Sequence, residues 1–473
     1  MGLETMGNAG TGSAAAPLRI STTRKLAIGV GDFGCNLYWQ TTQLYLLFFY
    51  TDVIGLPATT AGLIYMAALI WDAAMDPIVG LIADRTRSRW GRYRPYLVLG
   101  GLALAPAFVV LFMGPSSHVA GAVAFALLSQ LAFRTLYAVV AIPYASLFAR
   151  VTHDSAQRGD LTGFRMVCGA LAAIAVAALT LPLATALSDG AGGRQGWIIV
   201  GAAYGAIATL CLMLTAWGSR GLDVPNEAPS ARRPFADVCK SLASNRALQL
   251  LLTAIVISSF SSTMFSKNLL YYFKYVVGDA ELGSIALAVM ALTIVLTTPL
   301  WAVALRVIGK RNAWLVGAVP AIMGLVFWHL ADGEEIGLLF AALVLQAIGA
   351  AAYVVCFWSM LPDTVEYGEW RSGVRTESLV FGLTVLAQKL ALGLGAGVLG
   401  FALTRFGYLP NVAQSPQTLA DIKALMFWAP LVGVLTSASL IVFYPINRRT
   451  HAAMVDEIAA RTMVASATPS HPA

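Results

Sequence analysis

The chain has 473 residues, 58% of them hydrophobic and only 12% charged, and its mean hydropathy is +0.72. Soluble domains hold roughly 45–50% apolar and about 25% charged residues, so this balance excludes a water-soluble globular protein and leaves one whose solvent is lipid. A formal charge of +7 would suit nucleic acid in a soluble chain, but here the cations collect in short turns between apolar runs, and no nucleic-acid partner is expected.

Residues 1–24, "MGLETMGNAGTGSAAAPLRISTTR", are small and polar and lack an apolar h-region, so they are expected to form a tail and not a cleaved signal peptide. A hydrocarbon core of about 30 Å takes about 20 apolar residues per helix. By that measure twelve spans follow, at 26–51, 59–83, 95–114, 119–141, 162–186, 196–217, 248–275, 283–305, 312–331, 335–359, 378–404 and 423–444. The polar stretch "GLDVPNEAPSARRPFADVCKSLASN" divides them six and six. The expected architecture is an all-α membrane protein: an N-terminal six-helix bundle over 25–217, a central loop over 218–247, a C-terminal six-helix bundle over 248–445 and a tail over 446–473.

The turn after the second span, "DRTRSRWGRYRP", carries Arg85, Arg87, Arg89, Arg92 and Arg94, whereas "TDVIGLPATT" before it has no basic residue. Arg150, Arg158, Arg232, Arg233, Lys240, Arg306, Lys310, Arg311, Arg448 and Arg449 fall on the same side if the spans alternate. The positive-inside bias then makes that side, with both termini, cytoplasmic. Five cysteines, Cys35, Cys168, Cys211, Cys239 and Cys356, show no paired spacing, so neither disulfides nor a metal site are expected.

Charges inside the spans carry the functional signal. In "LIWDAAMDPIVG" Asp72 and Asp76 lie four apart, hence on one helix face. On insertion scales each costs about 2.5–3.5 kcal/mol at the membrane centre. Two carboxylates this close repel, so a proton or metal ion can be shared between them. Arg134 sits about as deep in the fourth span and offers a structural ion pair instead. Asp32 and Asn36 share a face in span 1, Arg165 starts span 5, Lys267 and Asn268 lie in span 7, and Gln388 and Lys389 lie mid-span in span 11. Lys267, nearer the outer interface, is a candidate for snorkelling. Asp32, Asp72 and Asp76 nearly balance Arg134, Arg165 and Lys389. Tyr38, Trp39, Tyr45, Trp71, Tyr144 and Trp358 are candidates to stack on a sugar ring, or to serve helix packing and interfacial belts.

"DPIVGLIADR" from Asp76 overlays "TPLWAVALRV" from Thr298, so Asp72 and Asp76 correspond to Ile294 and Thr298 and only the first half holds the acidic pair. "GAGVLG", 395–400, formally matches a dinucleotide fingerprint but lies inside an apolar span, where small residues serve close helix approach. No catalytic constellation is present, so an enzyme is not expected, and no cofactor is implied.

At "WDAAMDPIVGLIADRTRSRWGRYRPYLVLG" and "LPDTVEYGEWRSGVRTES" the chain resembles the glycoside-pentoside-hexuronide:cation symporters, a sugar-carrying branch of the major facilitator fold. The likeness runs nearly the whole length, through "FFYTDVIGLP", "AIPYASL" and "YYFKYVVGD". It implies that Asp72 and Asp76 match the cation-site carboxylates, Arg165 and Lys389 the basic residues near the sugar site, and Asp84, with Arg85 and Arg92, an inner gate on the cytoplasmic side. Asn36 and Ala141 stand where a galactoside-carrying member has two aspartates and Ala145 where it has a tryptophan. Met75 and Ala138 replace the oxygen ligands of a sodium-coupled relative, so H+ is favoured over Na+ as the coupling ion.

The resemblance and the residues together point to symport of a sugar or glycoside with a cation by a monomer in the inner membrane. Substrate contacts are expected from Asp32, Asn36, Tyr144, Arg165, Trp358, Gln388 and Lys389, with Arg134 and Lys267 as charge partners. A hexuronide or other acidic sugar as substrate, and a non-transporting sugar sensor, are the alternatives.

Overall fold

A computed structural model describes residues 20–114, 119–151, 155–188, 193–222, 242, 244–331, 333, 335–373 and 376–467. The expectations for residues 1–19, for most of the central loop with Arg232, Arg233, Cys239 and Lys240, and for the last six residues fall outside these. The other four cysteines are buried and free.

Among the described residues every regular element is a helix. The first half comprises α1 (Thr22–Phe48), α2 (Ala58–Arg85), α3 (Gly101–Val110), α4 (Val119–Val151), α5 (Ser155–Ala186) and α6 (Arg194–Gly218). The second comprises α7 (Arg246–Tyr271), α8 (Ala280–Ile308), α9 (Lys310–Leu330), α10 (Ile336–Ser372), α11 (Glu377–Arg405) and α12 (Pro416–Val442), and α13 (Arg448–Ala467) follows. Six helices in each half take the places of the twelve expected spans, and ten of them are long and apolar enough to cross a membrane. The other two differ for separate reasons. α1 is 27 residues long but its apolar run is broken by Asp32, Asn36, Gln40 and Gln43 after Arg24 and Lys25, while the third span, expected over 95–114, shortens to an apolar stretch of Tyr96–Val110 that opens on a π-helical turn, Tyr96–Gly100.

Local chemistry sets the helix ends. The side chains of Asn245 and Asp279 accept the orphan amides at the starts of α7 and α8, and Ser415 does the same for α12 with Pro416 behind it. Gly309, at φ +84°, ends α8 in a backbone conformation closed to most side chains and turns the chain directly into α9. α10 runs on to Ser372, past the expected limit of 359, so the polar run "LPDTVEYGEWRS" is its last three turns and not a loop.

The described ends at Thr22 and α13 lie on one face of the molecule, here the terminal face; the opposite one is the far face. Small residues let the two halves touch. A Cβ on Gly400 would collide with the Ala58 carbonyl, and one on Gly62 would lie 2.8 Å from the Ala396 carbonyl, so α2 and α11 meet backbone to backbone toward the far face. This is what "GAGVLG" does. Gly382, about five turns nearer the terminal face than Gly400 on α11, has nothing within 4 Å of its Cβ position, and the two helices diverge there. α9 and α10 use the same device within the second half, where a Cβ on Gly349 would lie 2.6 Å from the Gly317 carbonyl.

Overpacking such a seam costs about 1–3 kcal/mol. Gly349→Leu is therefore expected to lower the thermal unfolding midpoint of the detergent-purified protein, whereas Gly121→Leu, where nothing lies within 4 Å, is expected to leave it unchanged; equal midpoints for both would contradict the seam.

Candidate functional site

Asp72 and Asp76 occupy one face of α2 at the level where α2 and α11 begin to part. Asp72 is fully buried. Lys389 of α11 reaches across the halves and places its ammonium against both carboxylates: Nζ lies 2.9 Å from Asp72 Oδ2 and donates to Asp76 Oδ2. Arg134 of α4 is also fully buried, but its Nη1 lies 3.8 Å from Asp72 Oδ2. Its guanidinium rests 5.2 Å from the Trp39 ring and 5.8 Å from the Tyr65 ring. Depth made Arg134 a candidate structural partner for Asp72, and it does reach Asp72 at ion-pair distance, but the closer contact is to Lys389, which sequence depth did not bring to the pair. Asp72 Oδ2 is held by its ion contacts alone, and Asp72 Oδ1 and Asp76 Oδ1 are buried without a hydrogen-bond donor, so the cluster retains acceptor capacity.

A second cluster forms between α1 and α5. Arg165 Nε donates to Asp32 Oδ1 at 2.7 Å, and Asn36 Nδ2 donates to Asp32 Oδ2 at 3.1 Å. Gln40 Nε2 in turn donates to Asn36 Oδ1 at 3.4 Å. Gly169 admits this arrangement, since a Cβ there would collide with Asp32 Oδ2. Tyr144 donates to the Ile28 carbonyl at 3.2 Å and lies with its ring 5.7 Å from the Arg165 guanidinium. Arg165 stays 39% exposed along its side chain, so this charged pair is reachable by solute. The acids and bases expected to balance thus separate into two groups.

Lys267 does not snorkel. Its side chain is buried, its ammonium donates to the Gln43 carbonyl and it sits 4.0 Å over the Tyr65 ring, tying α7 to α1 and α2. Asn268 donates to the Ile422 carbonyl at 3.2 Å, a packing role. Trp358 is 46% exposed, with its ring against Phe357, and Gln388 is partly exposed; no described contact draws either into the two clusters. Asp84 accepts from the Tyr93 hydroxyl at 2.7 Å within the first half. Arg85 is exposed, and the Arg92 Nε is buried without a hydrogen-bond partner.

Sequence reasoning missed a clasp at the far face. Asp52, just beyond α1, is 3% exposed and accepts from Lys274 Nζ at 2.5 Å, the Tyr275 hydroxyl at 2.5 Å and the Tyr408 hydroxyl at 2.7 Å. Asn411 Nδ2 donates to its backbone carbonyl at 2.7 Å. Thr51 beside it bonds the Tyr271 hydroxyl at 2.8 Å. Burial, with the Asp52 charge adding to it, pushes the Tyr408 phenol well above its usual range, so it remains a donor. One carboxylate of the first half is held by three side chains of the second. The signal was a charge in each of "FFYTDV" and "YYFKYV", but residues at span ends read as solvated.

Two measurements follow. Removing one partner of a buried ion pair costs about 3–5 kcal/mol, so Lys389→Met should sharply lower thermal stability and Asp76→Asn in the same background should recover part of it; strictly additive losses would refute the pairing. Charge-assisted bonds are worth about 1.5–3 kcal/mol each. Asp52→Asn should therefore raise the rate at which a membrane-impermeant thiol reagent labels Ser284→Cys, whose native hydroxyl meets Tyr45 at 3.2 Å, by roughly tenfold.

The chain matches the model of the family "MFS/sugar transport protein" over residues 27–448. It is 30% identical over 430 residues to the isoprimeverose transporter of Lactiplantibacillus pentosus, covering 90% of this chain and 89% of that one. It is 27% identical over 428 residues to the inner membrane symporter YicJ of Escherichia coli (strain K12), covering 89% and 90%. Among solved structures it shares the fold of a bacterial homologue of the human drug peptide transporters PepT1 and PepT2, with TM-score 0.68 at 13% identity over 90% of this chain and 99% of the other. With the matched region spanning both six-helix halves, the chain belongs to the MFS/sugar transport family, in its branch like the glycoside-pentoside-hexuronide:cation symporters.

Proposed function

We propose that the protein carries a sugar or glycoside into the cell with a proton, as a monomer in the inner membrane with both termini cytoplasmic, by alternating access between its two halves. The observation that carries this reading is the Lys389 ammonium lodged against Asp72 and Asp76. It makes the protonatable pair part of the joint between the halves. A proton arriving on Asp76 removes one of the two charges that hold Lys389, weakens the joint and lets α2 and α11 move. With the pair unprotonated, the ammonium bridges both carboxylates and the far face is clasped, which suits a carrier that has delivered its proton to the cytoplasm. The names of the relatives, a sugar transporter and a symporter, support sugar and cation as cargo.

A proton suits this site better than Na+. A hard cation wants several oxygen ligands, and the neighbouring Met75 and Ala138 supply none. Lys389 already fills the ground beside Asp72 with positive charge. A neutral sugar suits the structure better than a hexuronide. Arg165 is committed to Asp32, Lys389 to the acidic pair, and Lys267 to the Gln43 carbonyl and the Tyr65 ring, so a substrate carboxylate would have to displace one of them. Asp32, Asn36 and Arg165 offer both donors and acceptors to hydroxyls, with Tyr144 behind them, and the partly exposed Gln388 and Trp358 are the second half's candidates to complete the contact. Asp84, Arg85 and Arg92 stand at the cytoplasmic end of α2 and the turn after it, where a gate would close in the opposite state.

In proteoliposomes, a panel of neutral pentosides and hexosides should include one whose addition alkalinises the outer medium, with uptake unchanged when K+ replaces Na+. Asp72→Asn should abolish its accumulation. Persistent alkalinisation in that variant, or uptake that requires Na+, would defeat the coupling assignment.

A further inference from the structure

Outside both clusters, the terminal face of the second half holds a cavity of about 830 Å³ between the α8–α9 turn, α10 and the start of α13. Arg306, Lys310, Arg311 and Arg449 line it, against one carboxylate, Asp363. That carboxylate is spent on Lys310, whose Nζ lies 2.7 Å and 2.9 Å from its two oxygens. The nearby Glu366 is taken by His451 at 2.7 Å. Among the described residues no carboxylate pairs with Arg306, Arg311 or Arg449. Lys310 and Arg311 moreover occupy the first turn of α9, where the helix dipole already presents positive charge and a cation is disfavoured by about 0.3–1 kcal/mol.

Two unspent donors in the same wall make this more than a basic surface. Tyr444 is 3% exposed, yet its hydroxyl has no hydrogen-bond partner, and the Arg311 Nε is likewise buried and unpartnered. A buried donor left unmade costs about 1–3 kcal/mol, and an oxyanion satisfies both while neutralising the arginines. A divalent cation fits poorly. Asp363, Glu366 and His451 do converge within 4.8 Å, but the Lys310 ammonium sits on Asp363.

We propose that this cavity binds a phosphate-bearing anion, either a soluble phosphate monoester or the headgroup of an anionic phospholipid, gripped by Arg311 and Arg449 with Tyr444 donating. Guanidinium groups match phosphate oxygens in geometry, the α9 N-terminus adds its amides, and the volume admits a phosphorylated monosaccharide. Occupancy would pin the α8–α9 turn to α13, away from the sugar site. The inference stands apart from the transport reading.

The test uses the purified full chain. In neutral detergent, sodium phosphate and glucose 6-phosphate, each compared with chloride at equal ionic strength, should raise the unfolding midpoint by about 2 °C or more. The same comparison is made in nanodiscs of phosphatidylcholine with and without phosphatidylglycerol. A rise with soluble phosphates assigns the site to a solute, and a rise with phosphatidylglycerol alone assigns it to a lipid. In either case Arg449→Ala, at an exposed side chain, and Tyr444→Phe, which keeps the ring, should reduce the shift at least threefold while their midpoints in chloride stay near wild type. No rise in any medium, or an undiminished rise in both variants, overturns the proposal.

Discussion

The structure turns on one interaction, the ammonium of Lys389 held between the carboxylates of Asp72 and Asp76, where Asp72 is sealed from solvent and Asp76 and Lys389 are only slightly exposed. Each charge would be costly alone. Together they are tolerable only at short range, and short range here requires that two helices from different halves come nearly into backbone contact. The glycines of α11 supply that approach: Gly393 and Gly397 lie against Leu69 and Met66, and Gly400 against Ala58. The electrostatics and the seam therefore depend on each other. Widening the seam would strand the charges, and removing a charge would leave the seam without its anchor.

The far-face clasp at Asp52 and the midplane bridge at Lys389 both join the halves, but they differ in what can release them. Asp52 is surrounded by donors, the Lys274 ammonium, two phenols and an amide, so no buried oxygen of its side chain is left idle. Asp72 and Asp76 keep buried oxygens without donors. A proton entering the molecule finds spare acceptors at the midplane and competition at the clasp. Under the proposed proton coupling the bridge would be the sensing element and the clasp the load it moves, with the small-residue seam between them as the contact that slides or parts.

How far the sequence reveals this depends on whether a feature is local or pairwise. The common face of Asp72 and Asp76 is a matter of helix periodicity, and the purpose of "GAGVLG" follows from its setting in an apolar run; both are legible. The partner of the pair is not. Depth along the membrane normal offered Arg134, which does lie within ion-pair distance of Asp72, but depth is one coordinate, and the closer approach of Lys389 from α11 is set by lateral contact, which no single-span pattern records. Lys267 failed for the same reason: its position suggested an interfacial tail, while α7 packs against α1 and α2 closely enough to bury it under Tyr65. Asp52 was overlooked because a charge at a span end looks solvated until the facing span ends are known to converge. The short third span escaped because an apolar run can extend beyond its helix.

The two halves echo each other, and the points at which the echo breaks locate the function. Pro77 and Pro299 both lie inside their helices, α2 and α8, so the correspondence of Asp76 with Thr298 is structural as well as textual. On α8, the Thr298 hydroxyl turns back to the Ile294 carbonyl at 2.7 Å, satisfying itself within its own helix and needing nothing from the other half. The acidic pair on α2 cannot do this, because carboxylates have no donor with which to bond their own backbone. They must recruit a cation from outside, and α11 provides it. The symmetry of the fold thus supplies two equivalent places for a coupling site. Replacing a self-contained hydroxyl by an outward-looking carboxylate ties one of them to the other half, and under the proposed coupling this is where ion binding and movement between the halves would become the same event.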